Sequence, residues 1–532
     1  MRLKLLRKPV ITILLKRIKE KKLYLKLSFF VLIALKIRAR IYSMKFAFFS
    51  LAFLFLINLV QAEPTHYLVL SSESTAADPG WEKVINELNS KYESSRVLHF
   101  PDGNPEGILE ELRKIRPRYT CFVAKYSEVT RAMVSKIHQL TRNIDEDPYT
   151  DTIWGILTGY DSENALGIAK TREPLTIERV ASGTEVALEH CLEGVWYCEL
   201  NKGKIVRKNR NATPIELNGP ADSTKALAKT LTEYKAQLFV TSGHATERGW
   251  QIGFSYRNGY FKSKNGNLFG QDTKGKTIAI NSPNPKVYMP IGNCLMGHID
   301  DQQAMALAWL KSGGVRQMLG YTVPTWYGYA GWGCLDYFVE QPGRYTFAEA
   351  FFANQHALIH RLETFFPDLA SKKIADPNQA TAIGSKVKLT EAATHAGLRA
   401  QDAAGLLFDR DSVVFYGDPG WDAKLAKGER AYEQSLNRND SIALHKKDSI
   451  YTFKITPMRG KKSFEPINTN GSQRGWRPIV HYFSERIGNF EILEGGEFNP
   501  VLTDDFILIP NPKSCDPAKD YKIVFKASPL VQ

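Results

Sequence analysis

Short apolar runs that alternate with amphipathic, helix-like stretches constrain the fold of this chain more than any other feature. The runs are rich in β-branched and aromatic residues, which is typical of strands in a parallel sheet covered by helices on both faces. We therefore predict an α/β fold with strands at Tyr67–Leu70, Arg96–Phe100, Tyr119–Val123, Ile153–Leu157, Gln237–Thr241, Val287–Ile291, Val315–Leu319 and Ser412–Tyr416. The helices predicted between them include Trp81–Tyr92, Pro105–Ile115, Ser127–Thr141 and Gln302–Ser312.

The character of the sequence changes after about residue 425. Short strand-like pieces divided by Gly, Pro and Asn follow, without a helical period between them. This pattern predicts a small β-sandwich. We expect four regions: a basic extension and signal peptide at 1–62, an N-terminal α/β subdomain at 63–160, a second α/β domain at 161–425 and the β-sandwich at 426–532.

The first 62 residues have the layout of a secretory signal peptide. Lys45 gives a short positive region, an apolar run covers 46–60, and Val60-Gln61-Ala62 places small residues at a cleavage site. The apolar run is shorter than the roughly 20 residues that cross a bilayer, so we expect no permanent membrane span in the mature chain. Residues 1–43 are interpreted as an extension upstream of the true start at Met44, the alternative being a long positive region or a cytoplasmic basic segment. We therefore expect an exported protein, in the periplasm, at the cell surface or outside the cell.

The positive charge of the chain is concentrated in the same segment. The full sequence has a formal net charge of +14, but residues 63–532 carry only +1. A body this close to neutral lacks the basic surface of a protein that binds a polyanion. We expect no nucleic-acid partner.

Two familiar motif patterns occur without the context that gives them function. Residues 270–277 match the phosphate-binding loop pattern, but Pro283 and Pro285 exclude the helix that must follow such a loop. The segment is therefore predicted to be a β-turn. His356 and His360 have the spacing of metal ligands on a helix, but no acidic base or third ligand accompanies them. We expect no metal site there.

Two of the predicted strands end in residues suited to nucleophilic catalysis. Gln237–Thr241 is followed by Ser-Gly-His244, and Val287–Ile291 is followed by Gly-Asn-Cys294. Ligands of parallel sheets bind beyond the carboxyl ends of the strands, so adjacent strands would bring His244 and Cys294 into one cleft. An imidazole beside a thiol can form an ion pair with a strongly nucleophilic sulfur at neutral pH. The backbone N–H groups of Cys294 and Ala245 are the expected donors to a developing oxyanion.

These blocks resemble the gingipain-like family of cysteine peptidases in the caspase-fold clan. The family pattern is an apolar block with Ser/Thr-Gly-His-Gly, a spacer and a second apolar block with Cys, and LFVTSGHA and VYMPIGNC are similar to it. Thr150–Gly155, Ala306–Tyr321 and Val413–Pro419 resemble further segments of that family. The resemblance covers roughly residues 63–430. It implies a caspase-like catalytic domain, with an immunoglobulin-like β-sandwich after it.

Carried over residue by residue, the resemblance makes Cys294 the nucleophile and His244 the general base and acid. The amides of Cys294 and Ala245 would form the oxyanion hole. Ala245 stands where the family usually has Gly, and its methyl group is expected to edge the cleft. Asn293 stands where Ala is common in the wider clan.

The resemblance also implies a specificity pocket beside the nucleophile, often with an acid that holds a basic side chain. Asp151 is the candidate for that acid, or for orienting His244. Trp326 and Tyr327 are candidates for the wall of the pocket.

The sequence thus predicts an exported cysteine endopeptidase that cleaves protein or peptide substrates through a Cys–His dyad and a thioester acyl-enzyme. No cofactor is expected, and a structural calcium ion is left open. One alternative is a catalytically inactive surface or binding protein with the caspase fold, suggested by Ala245 and the β-sandwich. Another is a metal-dependent hydrolase that uses Cys294, His298 and His244.

Overall fold

The computed structural model describes residues 66–374, 378–440, 448–467 and 473–530. The basic extension and signal peptide predicted at 1–62 lie outside these residues. Within the described ranges, each helix is too short or too polar to cross a membrane.

The first part of the described chain alternates strands and helices as predicted. It consists of β1 (Tyr67–Ser72), α1 (Glu73–Ala76), α2 (Pro79–Lys91), β2 (Ser95–Phe100), α3 (Leu109–Ile115), β3 (Tyr119–Val123), α4 (Arg131–Thr141), β4 (Ile153–Leu157) and α5 (Ser162–Ala169). β1 lies between β2 and β3, and β4 pairs with β3, all in parallel. Helix α2 buries Trp81, Val84 and Leu88, whose spacing forms one apolar stripe.

The next part of the chain builds the far end of the same sheet, except for its first strand, which belongs to a separate two-stranded sheet. This part consists of β5 (Leu175–Ile177), β6 (Arg179–Ser182), β7 (Glu193–Tyr197), β8 (Lys204–Lys208), β9 (Ile215–Asn218), α6 (Thr224–Thr232) and β10 (Leu238–Thr241). β6 pairs in parallel with β7 and β10, whereas β8 and β9 are antiparallel to their neighbours.

A separate antiparallel sheet, here called the insert sheet, follows β10. Its strands are β11 (Ala245–Thr246), β12 (Gly249–Gln251), β13 (Tyr260–Lys264), β14 (Asn267–Gln271) and β15 (Thr277–Ile280). Trp250 and Phe261 on its inner face pack against Phe239 of β10. β14 and β15 are joined by a turn at 272–276, which confirms the β-turn predicted for the phosphate-loop pattern.

The next three strands close the gap between the two parts of the main sheet, and the strand after them pairs in parallel with β5. This part consists of β16 (Lys286–Pro290), α7 (Met305–Lys311), β17 (Val315–Tyr321), α8 (Tyr329–Phe338), α9 (Phe347–Phe365), α10 (Pro367–Ala370), α11 (Asn378–Gly384), α12 (Glu391–His395), α13 (Ala400–Arg410), β18 (Val413–Gly417) and β19 (Ala423–Leu425). β16 pairs in parallel with β10 and β17. β18 is antiparallel to β17 and parallel to β4. Short 3-10 helices occupy Pro105–Ile108, Tyr126–Glu128, Leu188–His190, Gly460–Lys462 and Gly496–Phe498.

The main sheet therefore has 12 strands, in the order β2-β1-β3-β4-β18-β17-β16-β10-β6-β7-β8-β9. It is mostly parallel and flanked by helices, as predicted. Strand direction reverses between β17 and β18, so the carboxyl ends of β10, β16 and β17 lie at the same edge as the amino ends of β18 and β4. Strands from 63–160 and from 161–425 share this sheet, and residues 64–532 form one compact unit. The domain boundaries at 160 and 425 stay predictions.

The C-terminal region forms two antiparallel sheets. Its strands are β20 (Tyr432–Asp440), β21 (Ser449–Pro457), β22 (Ile479–Tyr482), β23 (Ile487–Glu494), β24 (Val501–Leu502), β25 (Phe506–Ile509) and β26 (Tyr521–Pro529). One sheet has the order β20-β21-β26-β23 and the other β22-β25-β24. Phe453 and Phe525 from the first sheet share a hydrophobic core with Ile507 and Ile509 from the second.

Candidate active site

Two neighbouring parallel strands bring the predicted nucleophile and base to one edge of the main sheet. Thr241 of β10 is the register partner of Pro290 of β16. His244 follows three residues after Thr241, and Cys294 follows four residues after Pro290. The adjacency of these two strands is confirmed, and both residues lie in loops beyond their carboxyl ends.

Asn293 joins the two loops through both ends of its buried amide. The hydroxyl of Thr241 donates to Asn293 Oδ1 at 2.6 Å, and Asn293 Nδ2 donates to the carbonyl of Gly243 at 3.0 Å. The N–H of Ile291 also donates to the carbonyl of Thr241 at 2.9 Å. The residue before Cys294 is therefore fixed to the residue before His244.

Cys294 occupies a tight turn that the loop after β17 supports. Its side chain is half-buried, and its Sγ accepts a hydrogen bond from the backbone N–H of Thr325 at 3.3 Å. Leu295, the next residue, has a φ of 59°, in the left-handed region that costs a non-glycine residue about 1–2 kcal/mol. The N–H of Leu295 donates to the carbonyl of Val323 at 3.1 Å. The same loop thus holds both the sulfur and the turn that presents it.

His244 lies in the neighbouring loop with an exposed side chain. Its ring stacks on Phe254, with the ring centroids 4.8 Å apart and the planes inclined by 25°. Within the described part of the chain, the His244 ring makes no hydrogen bond. The one hydrogen bond that the Cys294 sulfur makes there is with the N–H of Thr325. Catalytic hydrogen bonds are often long in unliganded enzymes and tighten when substrate binds. The structure brings the two loops together and leaves the two side chains without a hydrogen bond between them.

The two expected oxyanion donors are backbone amides of the same loops. The N–H of Cys294 donates to no other described residue. The N–H of Gln251 donates to the carbonyl of His244 at 2.9 Å, which makes Ala245 and Trp250 a non-hydrogen-bonded pair of the β11–β12 ladder. The N–H of Ala245 therefore points away from β12, toward the open edge of the insert sheet. Ala245 packs against the hydrophobic core and also lines the cavity beside His244.

The two aromatic candidates for the pocket wall have different surroundings. Trp326 is 66% exposed and directly follows Thr325, whose amide contacts the Cys294 sulfur. Tyr327 packs against α13, where its ring centroid lies 5.4 Å from that of Phe408. Trp326 is thus an exposed residue of the loop that holds the sulfur, whereas the ring of Tyr327 packs against α13.

Asp151 lies at the same edge of the sheet as the candidate pair but not beside it. It precedes β4, and β18 and β17 separate β4 from β16, a distance of about 14 Å at the usual spacing between strands. Its carboxylate accepts a hydrogen bond from the N–H of Asp145 at 3.3 Å. Burial raises the pKa of Asp151 well above its usual value, and the nearby carboxylates of Asp145 and Asp147 raise it further. The structure does not bring Asp151 to Cys294 or to His244.

Glu199 is an acid near the histidine loop that the sequence analysis missed. The hydroxyl of Ser242 donates to its carboxylate, and its backbone carbonyl accepts a hydrogen bond from the N–H of Phe254 at 2.7 Å. Burial raises the pKa of Glu199, although the hydrogen bond from Ser242 opposes this effect. Because Phe254 stacks on His244, Glu199 anchors both the loop and the ring beside it. No sequence pattern marks Glu199, since it follows β7 in a polar turn.

The metal-dependent alternative requires Cys294, His244 and His298 at one point. Nδ1 of His298 instead lies 3.2 Å from the carboxylate of Glu247. In the described ranges, the one group of His, Cys, Asp or Glu side chains close enough to share an ion consists of the three aspartates at 145, 147 and 151, whose ligand atoms lie within 4.8 Å of one another. These aspartates are the residues that could hold a calcium ion, and Cys294 is not among them.

Comparisons with protein-family models, with curated proteins and with solved structures found no match for this chain. The class of site is therefore defined by its own geometry. A half-buried thiol and an exposed imidazole lie beyond the ends of two adjacent parallel strands, on loops that Asn293 joins, and these are the groups that acyl transfer uses.

Proposed function

We propose that the protein is an exported cysteine endopeptidase of the gingipain-like branch of the caspase-fold clan. The observation that carries the proposal is the bridge made by Asn293, which fixes the loop of Cys294 to the loop of His244. A nucleophile, a base and N–H donors at one place are what hydrolysis of a peptide bond requires.

In the proposed reaction, the thiol of Cys294 gives its proton to the imidazole of His244, and the sulfur attacks the peptide carbonyl carbon. The N–H groups of Cys294 and Ala245 donate to the oxyanion of the tetrahedral intermediate. The imidazolium then protonates the leaving amine, the C–N bond breaks and a thioester remains. His244 next takes a proton from water, whose oxygen attacks the thioester, and the new carboxylic acid leaves as the thiol is restored.

The proposal also covers the regions outside the candidate site. The two C-terminal sheets that share one core support an immunoglobulin-like domain after the catalytic domain. The signal-peptide layout at 44–62 supports export. The cellular location of the mature protein and the identity of its substrates also belong to the proposal.

Hydrolysis of a mixed peptide library tests the proposal, with a second cysteine as the matched control. Cys198 is also half-buried, and its sulfur accepts a hydrogen bond from the N–H of Asn201 at 3.2 Å. We expect Cys294→Ala to abolish cleavage of every peptide and Cys198→Ala to leave cleavage unchanged. Equal cleavage by Cys294→Ala and the unaltered protein would refute the proposal.

A second candidate is a catalytically silent binding protein with the same fold. The lack of a hydrogen bond between the Cys294 thiol and the His244 ring favours it. Such a protein would cleave no peptide in the library at any pH between 5 and 9, although its half-buried thiol would still react with a small alkylating reagent.

A further inference from the structure

The open face of the insert sheet carries the candidate histidine together with a lysine. Side chains alternate between the two faces of a strand, and directly paired residues share a face. His244 lies opposite Gln251, Thr246 lies opposite Gly249, and Gly249 lies opposite Lys262. His244 and Lys262 therefore project from the same face of the insert sheet.

A cavity of about 380 Å³ opens along this face and is lined by both His244 and Lys262. Gly249 leaves part of its floor without a side chain, and a Cβ at that position would lie 3.1 Å from the carbonyl oxygen of Phe261 and 3.4 Å from Cγ of Lys262. The charged residues of the lining are the cations Lys262 and Arg248, and no carboxylate from the described residues belongs to it. The cavity is thus a trough whose charged side chains are cations.

The two cations differ in what already binds them. The guanidinium of Arg248 binds the carboxylate of Asp300 at 2.7 and 2.8 Å and that of Asp301 at 3.0 Å. Lys262 Nζ donates to the neutral side-chain oxygen of Gln271 at 2.7 Å, and no described carboxylate forms an ion pair with it. An ammonium group has three donors, so Lys262 can still bind an anionic group that enters the trough.

The proposed reaction determines which part of a substrate would enter the trough. The imidazolium of His244 must protonate the leaving amine, so the leaving-group half of the substrate lies beside its ring. Residues that follow the scissile bond would then run along the cavity from His244 toward Lys262. We propose that Lys262 recognises an acidic side chain, Asp or Glu, in the leaving-group half of the substrate, an inference that rests on the proposed function.

Peptide binding to the Cys294→Ala protein tests this inference without turnover. The probes are fluorescein-labelled pentapeptides with a free amino terminus, Asp-Ala-Ala-Ala-Gly and Ala-Asp-Ala-Ala-Gly, each with a twin in which Asn replaces Asp. We expect one Asp peptide to bind about three- to fivefold more tightly than its Asn twin at low ionic strength, as for a partly exposed ion pair. Adding Lys262→Gln should remove the difference, and Lys262→Glu should reverse it.

Lys276 supplies the matched control, because it is exposed in the turn between β14 and β15 and does not line the trough. Lys276→Gln should keep the preference for Asp. Equal binding of the twins, a difference that survives Lys262→Gln, or no binding of any probe at millimolar concentration overturns the inference. Peptide hydrolysis without a preference for the Asp peptides would support the peptidase function and refute the proposed role of Lys262. Charge-selective binding by a protein that cleaves no peptide would support the role of Lys262 and refute the peptidase function.

Discussion

At the residue scale, the candidate pair depends on a side chain that takes no direct part in the proposed chemistry. Asn293 binds Thr241 and Gly243, and each of these hydrogen bonds stabilises the fold by only about 1 kcal/mol. Catalysis is more sensitive than stability to such a contact, because a shift of about 1 Å in a reacting group can cost 100-fold in rate.

We expect Asn293→Ala to lower kcat/KM about 100-fold while it lowers the free energy of unfolding by about 1–3 kcal/mol. Asn258 is the control, since it is also buried and binds Ser223 through both ends of its amide. Asn258→Ala should cost similar stability and leave kcat/KM of the folded protein unchanged. Peptide hydrolysis and chemical denaturation measure the two quantities, and equal losses of rate would contradict this role of Asn293.

Asp147 gives a pH-dependent prediction. Burial and the neighbouring Asp145 raise the pKa of Asp147 to about 7. The folded protein therefore keeps a proton that the unfolded chain releases near pH 4, so this contribution to stability is present below that pH and is lost as the pH rises to 7.

We expect Asp147→Asn to raise the free energy of unfolding by about 1–3 kcal/mol at pH 8 and to change it little at pH 4. The amide oxygen of Asn can keep the hydrogen bond that Asp147 now accepts from the N–H of Tyr149 at 2.8 Å. Calorimetry at the two pH values measures the effect. A lower unfolding temperature of the variant at pH 8 would contradict it and would indicate a cation bound among the three aspartates.

The position of a candidate residue could be predicted from the sequence where it depends on a single strand. His244 and Cys294 each follow an apolar run directly, so their positions at strand ends follow from local pattern. Asp151 could not be placed in this way, because its distance from Cys294 depends on the order of strands in the sheet. Asn293 and Thr325 act through contacts between loops that are distant in sequence.

At the scale of elements, long apolar strands were predictable and short polar ones were not. The predicted strands Tyr119–Val123 and Ile153–Leu157 have the same bounds in the structure. The strands of the insert sheet are 2–5 residues long and present polar side chains on their open face. Their apolar runs, such as that at 278–280, are too short to predict a strand, so the sheet that carries the proposed recognition surface was missed.

Gly292 tests how closely the elements around Cys294 must pack. A Cβ at Gly292 would lie 2.9 Å from Nε1 of Trp332 and 3.2 Å from Cβ of Ser242. We expect Gly292→Ala to force the two loops apart, to cost about 1–3 kcal/mol of stability and to lower peptide hydrolysis by more than the loss of folded protein explains. Gly167→Ala in α5, where a Cβ would meet no atom within 4 Å, should instead stabilise the protein by about 0.5–1 kcal/mol with full activity. Unchanged hydrolysis by Gly292→Ala would contradict the close-packing argument.

At the scale of the whole molecule, β18 joins the two parts of the main sheet, and Asp418 directly follows it. The carboxylate of Asp418 accepts hydrogen bonds from Tyr67 at 2.7 Å, Lys91 at 2.7 Å and Tyr92 at 2.6 Å. The end of the predicted catalytic region is thus bound to the start of the described chain. The apolar pattern of a strand does not encode its direction, which is why the reversal between β17 and β18 was not predicted.

We expect Asp418→Ala to lower the free energy of unfolding by about 3–5 kcal/mol, because it leaves the buried ammonium of Lys91 without its counter-charge. Glu110→Ala removes the exposed ion pair with Arg113 and should cost less than about 1 kcal/mol. Chemical denaturation compares the two variants. A loss as small for Asp418→Ala as for Glu110→Ala would contradict a structural role of this contact.

The central claim is that a sulfur and an imidazole from two strand-end loops act together on a peptide carbonyl. Trapping with a peptidyl acyloxymethyl ketone, followed by mass mapping of the modified residue, tests it most directly. We expect the adduct on Cys294, with a rate of formation that falls at least about 100-fold in His244→Ala. An adduct on Cys198 instead, or modification of Cys294 at an unchanged rate without His244, would contradict the claim.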